Sequence, residues 1–150
     1  MLRLLVIMLA AAAPSVALAQ EAGADSFRRC AACHLPNGAG VPGSYPPLSA
    51  QVAGFSRSTP GRSYLIAVVA QGLAGPTTIG GAAYNGFMPA QPGLSDQALA
   101  DTLNHLLTTI IAAADVKPFT AEEVRAVRAQ AAGRSAQQSL ELRPPEDPSP

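Results

Sequence analysis

Two thiols and an imidazole stand within five residues, in the run Cys30-Ala31-Ala32-Cys33-His34. That order is the C-x-x-C-H signature of covalent haem attachment. Each thiol can add across one vinyl group of a porphyrin and leave a thioether. The two vinyls share one edge of the ring, so the cysteines must lie close together. The adjacent histidine can then turn under the ring and offer a nitrogen to the iron as proximal ligand. A bare C-x-x-C pair has other uses, as a redox dithiol or as half of a zinc site. The residues around it have to decide.

The chain begins like a secretion signal. Met1-Leu2-Arg3 is a short basic start, Leu4 to Ala13 is apolar, Pro14 breaks the run, and Ala17-Leu18-Ala19 has the small-x-small pattern of a cleavage site. The apolar run is too short to span a bilayer, and no cysteine stands at the junction to carry a lipid. The expectation is a signal over 1–19, a mature chain from Gln20, a periplasmic location and no stable membrane anchor. An oxidising compartment permits disulfides, but a C-x-x-C pair closes a tiny loop and stabilises little.

Length and charge narrow the classes further. At 150 residues one domain is expected, with tails. Ten basic and ten acidic residues cancel; loss of Arg3 leaves nine against ten, a formal charge of −1. No basic block exists to bind nucleic acid.

A second ligand must come from elsewhere. Met1 and Met8 leave with the signal, so Met88 is the only methionine of the expected mature chain. A lone methionine is more often a core filler. Met88, however, sits in Asn85-Gly86-Phe87-Met88-Pro89, a turn-rich segment and not an apolar helix face. A thioether opposite an imidazole is the axial pair of electron-transfer haems. His105 is the only other histidine and the rival sixth ligand.

The elements that must position these groups follow from pattern. Gly23 to Arg29 reads as a short helix leading into the motif, with Phe27 as a core residue. Residues 35–43 are too rich in Gly and Pro for a helix or strand and can wrap a flat ligand. A metal-bound histidine donates its other ring N–H to an acceptor, and the Pro46 carbonyl is the candidate. Thr59-Pro60 opens a helix with an apolar stripe at Tyr64, Leu65, Val68 and Val69, ended by Gly72. Thr77 to Tyr84 reads as a small hairpin turning at Gly80-Gly81. Ser95 caps a further helix with a wide apolar face from Leu99 to Ile111. Thr120-Ala121-Glu122-Glu123 reads as a capping box for a mostly solvated helix over about 121–132. From Gly133 the chain turns polar, and Arg143 to Pro150 holds four prolines. Residues 134–150 read as a disordered Pro-rich tail.

Together these segments resemble the class I c-type cytochromes, in particular small bacterial monohaem domains. The resemblance rests on the C-A-A-C-H run, Pro46-Pro47-Leu48 and Tyr84-Asn85-Gly86-Phe87-Met88-Pro89 before a terminal helix. It spans roughly 22–130. It implies a mostly α fold, three to four helices around a covalent haem c with a small β-hairpin before the methionine loop. The domain would be 20–117, extended by a C-terminal helix over 118–133. It implies thioethers at Cys30 and Cys33, iron ligation by His34 and Met88, and a carbonyl partner at Pro46.

Two departures stand out. The family aromatic usually precedes the first cysteine by four residues, and Phe27 precedes Cys30 by three. His105 also stands where the terminal helix often has an aromatic. A shifted crossing of the terminal helices is therefore expected.

The function implied is a periplasmic one-electron carrier, not an enzyme, docking transiently with redox partner proteins such as a dehydrogenase or a terminal oxidase. Arg28, Arg29, Arg57 and Arg62 are the sparse charges near the motif, so docking should be mainly apolar. The alternative is a haem-based sensor or ligand-binding subunit with a displaceable distal ligand. A thiol redox protein would want a βαβ pattern that this chain lacks.

Overall fold

The computed structural model describes residues 14–145. The expected secretion signal falls largely outside the described residues, as does the end of the chain from 146.

Helix α1 runs Pro14–His34. It is longer than the 23–29 helix expected and carries the whole C-x-x-C-H run inside it. Ala31 and Ala32 are strong helix formers, so nothing stops the helix between the thiols. Leu35 ends it with a positive φ of 66°. The loop that follows leads to α2 (Ala50–Ser56), which the pattern did not disclose. Seven residues, one of them Gly54, are too few to show a helical period, yet Ala53, Phe55 and Ser56 are buried. Helix α3 (Thr59–Gln71) follows the expected bounds. The Ser58 hydroxyl accepts from the Gly61 N–H at 3.2 Å, and Gly72 ends the helix at φ 83°.

Strands β1 (Leu73–Ile79) and β2 (Ala82–Met88) form one antiparallel hairpin. It is longer than expected: the pairing runs from Ile79 opposite Ala82 back to Leu73 opposite Met88. The turn is Gly80-Gly81, both at positive φ (58° and 79°), as a tight hairpin turn demands.

Helix α4 (Asp96–His105) is capped by Ser95, whose hydroxyl accepts from the Ala98 N–H, and continues as a π-helical turn over Leu106–Ile110. Helix α5 (Ala121–Ala131) begins at Thr120. Only half of the expected capping box forms: the Thr120 hydroxyl accepts from the Glu123 N–H, but the Glu123 carboxylate is taken by Arg62 at 2.6 Å. Nor is α5 mainly solvated, because Val124, Val127 and Ala131 are buried and Arg128 pairs with Asp96 at 2.9 Å.

As far as residue 145 the C-terminal segment corrects the expectation of a disordered tail from 134. Helix α6 (Ala136–Leu140) forms with a full capping box between Ser135 and Gln138. Ser139 is fully buried, and α6 packs against β1 and α3.

Helix α1 crosses α4, and the crossing is tight. A Cβ at Gly23 would lie 2.9 Å from the His105 Cβ and would clash with the Asp101 carbonyl. Phe27 is buried against the His105 ring at 5.6 Å between centroids. The terminal helices therefore meet with His105 in the aromatic role, and the single-residue shift of Phe27 leaves the contact in place. Ile66, Leu99, Leu107 and Val124 fill the core behind it.

Candidate haem site

Cys30, Cys33 and His34 are positions i, i+3 and i+4 of one continuous helix. Those spacings bring three side chains to one face. The Cβ atoms thus point together without any special loop. Both cysteines are free and half-buried, while His34 is buried at 7% exposure.

The imidazole is fixed from the other side. Nδ1 of His34 lies 2.8 Å from the Pro46 carbonyl oxygen. A carbonyl only accepts, so Nδ1 carries the proton and Nε2 keeps its lone pair. Burial pulls the His34 pKa below its ordinary value, with the Pro46 bond opposing in part. The net direction suits a neutral nitrogen ligand. The carbonyl is delivered by a close approach: the Gly40 N–H donates to the His34 carbonyl at 2.9 Å, and a Cβ on Gly40 would sit 2.7 Å from the Pro46 carbonyl. Only glycine at φ 65° fits there.

His34 and Met88 border the same two cavities. The larger is walled by apolar side chains such as Leu48, Val52, Leu65, Val69 and Leu103. Cys30 stands on its wall. The second lies beside it, with Cys33, Tyr45 and Phe87 on its walls. His34, Pro46, Leu73, Ile79 and Met88 line both. The two cavities share these five wall residues and together make a mostly apolar slot with a thiol on each part, an imidazole and a thioether. That is the donor set a covalently attached porphyrin needs. Met88 closes β2, so the hairpin and not a free loop holds it.

His105 does not share this slot; it borders a separate pocket beside α1 with Asp101 and Asn104. The thiol redox reading also loses ground. Burial pushes the Cys30 pKa up, against the lowering effect of Arg29, whereas a reactive redox thiol is held low. Among the described residues no group of three or more His, Cys, Asp or Glu side chains is placed to hold a metal ion.

The family model for cytochrome c matches residues 20–109. The chain belongs to the cytochrome c family. A cytochrome c-552 of Thermus thermophilus is 45% identical over 118 residues, 77% of this chain and 80% of that one. A second Thermus thermophilus cytochrome c-552 is 44% identical over 114 residues, 74% and 87% of the two chains. This cytochrome c is accordingly a mostly helical electron-transfer protein that carries covalent haem c.

Sequence reasoning missed two parts of the site. Gln51 and Phe55, from the undetected α2, line the larger cavity, and so does Arg143 from the segment taken for a tail. The Ser135-Ala136-Gln137-Gln138 cap was the available signal for the latter.

Proposed function

We propose that the chain is a periplasmic one-electron carrier whose iron sits between His34 and Met88, with thioethers at Cys30 and Cys33. The observation that carries this reading is the His34–Pro46 bond at 2.8 Å, which leaves the other ring nitrogen to a slot that Met88 also lines. When bound, the haem supplies a single iron that cycles between two oxidation states. The chain's own residues do the rest. His34, oriented by Pro46, would offer its other ring nitrogen to the iron. Met88 would offer a soft sulfur, which favours the reduced state and raises the potential. The apolar walls exclude water and keep the cost of the charge change steady. A haem held by both His34 and Met88 would have no ligand position open to a substrate.

Docking with a redox partner, a dehydrogenase or a terminal oxidase, fits the face beside the second cavity. Phe87 is 67% exposed there and Tyr45 42%, two large apolar rings beside the attachment region. Arg62 takes no part, since it is buried at 7% exposure. Secretion follows from Ala17-Leu18-Ala19 and the apolar run before it. Among the described residues no helix is long and apolar enough to cross a membrane.

The test is spectroscopic and chemical. Acid and organic solvent should leave the haem on the polypeptide. The oxidised protein should show the weak far-red band of an iron–sulfur bond, and the reduced protein should bind carbon monoxide poorly. Ready carbon monoxide binding without that band would overturn methionine ligation in favour of a ligand-binding subunit.

A further inference from the structure

Helix α4 does not end as an α-helix. After His105 it widens into the π-helical turn Leu106–Ile110, closed by the Ile111 N–H, which donates to the Leu106 carbonyl at 2.9 Å. Such turns are rare, and many of them lie at functional sites. The extra residue in the turn swings Ile110 off the line that an unbroken α-helix would give it. Leu106 and Leu107 stay buried, and Leu106 keeps its place on the wall of the larger cavity. Ile110 meets instead the loop that follows the C-x-x-C-H run: a Cβ at Gly38 would lie 2.9 Å from the Ile110 Cγ2 methyl.

Gly38 is the hub of that loop. It is buried, its N–H donates to the Leu35 carbonyl at 3.0 Å, and its carbonyl accepts from the Leu48 N–H at 2.7 Å. Leu48 stands two residues beyond Pro46, whose carbonyl accepts from His34 Nδ1 at 2.8 Å. Gly38 has a φ of 71°, and a Cβ there would also lie 3.2 Å from the Leu48 carbonyl oxygen. Glycine alone lets the loop and Ile110 come this close. A short path results. It runs by contact from Ile110 to Gly38, by a hydrogen bond to Leu48, along the chain to Pro46, and by a second hydrogen bond to His34.

We propose that Ile110, aimed by the π-helical turn, is a positioning residue that sets the length of the His34–Pro46 hydrogen bond and through it the potential of the iron. This rests on the haem-site reading above and adds a control outside the slot, since Ile110 lines neither cavity. A tight bond from Nδ1–H to the carbonyl makes the other ring nitrogen more basic and a stronger donor to the iron, which favours the oxidised state. A loop that drifts lengthens the bond, weakens the donor and raises the potential. Water let into the slot acts in the opposite sense, because it stabilises the more positive oxidised iron. The sign of the change therefore separates aiming from loss of packing.

The experiment uses the full-length protein with its attached haem. Ile110→Val, Ile110→Leu and Ile110→Ala are compared by midpoint potential and by proton NMR of the His34 Nδ1–H in the reduced protein, read as its chemical shift and its exchange with solvent. Valine keeps both γ-carbons and loses only the δ-methyl, whereas leucine keeps the size and loses the branch at Cβ. Ile110→Val should match the wild type. Ile110→Leu and Ile110→Ala should each raise the potential, move the Nδ1–H resonance upfield and speed its exchange several-fold, with the far-red band unchanged. A series ordered by side-chain volume, with leucine like the wild type and valine nearer alanine, would overturn the proposal and leave Ile110 a packing residue. A falling potential or an unmoved Nδ1–H resonance in the leucine and alanine variants would overturn it too. The contrast of Ile110→Leu with Ile110→Val decides by itself if Ile110→Ala fails to fold. A wild type whose His34 ring resonances lack the large shift of an imidazole bound to haem iron would overturn the haem-site reading and this proposal with it. A wild type without the far-red band would overturn Met88 ligation while leaving the proximal control standing.

Discussion

At the residue scale two side chains carry opposite burdens. Met88 is half-buried at the end of β2 and lines both cavities. Nothing in its packing demands sulfur, so its chemistry is what substitution tests. Met88→Ala should abolish the far-red band, lower the potential and open the iron to carbon monoxide, with the haem still attached through Cys30 and Cys33. An unchanged band would move the distal ligand elsewhere. Arg62 is structural. It is clasped by Glu123 at 2.6 Å, by the Lys117 and Pro118 carbonyls at 2.7 and 3.1 Å, and by the Phe119 ring at 3.8 Å. Glu123→Ala leaves that buried cation without its counter-ion, which costs about 3 kcal/mol. The urea midpoint should fall accordingly while the visible spectrum stays the same.

At the element scale the α1–α4 crossing decides whether the attachment helix is held. Its contacts are Gly23 on Asp101 and His105, and Phe27 on the His105 ring. An aromatic pair of all-carbon rings would be indifferent to pH, and a histidine is not. Burial holds the His105 pKa below its ordinary 6.5, so the folded protein binds that proton less readily than the unfolded chain. Its contribution is intact above the unfolded value and is lost as the pH falls through the folded one. Stability of the holoprotein should therefore decline below about pH 6.5 by a step that His105→Phe removes. A pH profile unchanged by that substitution would show that the imidazole is not sealed by Phe27.

The same scale shows what could be read from sequence. The candidate site residues stand out in the sequence because their types are chemical: two thiols, two imidazoles and one thioether in the expected mature chain. The α3 and α4 helices were legible because their start signals, Thr59-Pro60 and Ser95-Asp96, precede clear apolar stripes. Helices α2 and α6 were not, because seven and five residues show no period and their burial depends on partners distant in sequence. Glu123 misled for a related reason: its local cap was readable, and its partner Arg62 lies 61 residues away.

At the scale of the whole molecule the slot is a fault line in an otherwise packed core. Helices α1, α2, α3 and α4, the hairpin and the segment after α6 all give residues to the larger cavity. A void of that kind forfeits the contacts its lining would make, and the loss grows with volume. Only a large, flat, apolar body can bridge it, which makes the haem the centre of the fold as well as of the chemistry. Chain produced without haem attachment should accordingly show much weaker far-UV helix signal than the holoprotein and melt without a cooperative transition. Helix α5, which gives the slot no residue and buries Val124 in the core, should be the last to lose amide protection in hydrogen exchange. A sharp, cooperative melt of the haem-free chain would show instead that the walls close on each other, and that the cavity is held open only by the cofactor it receives.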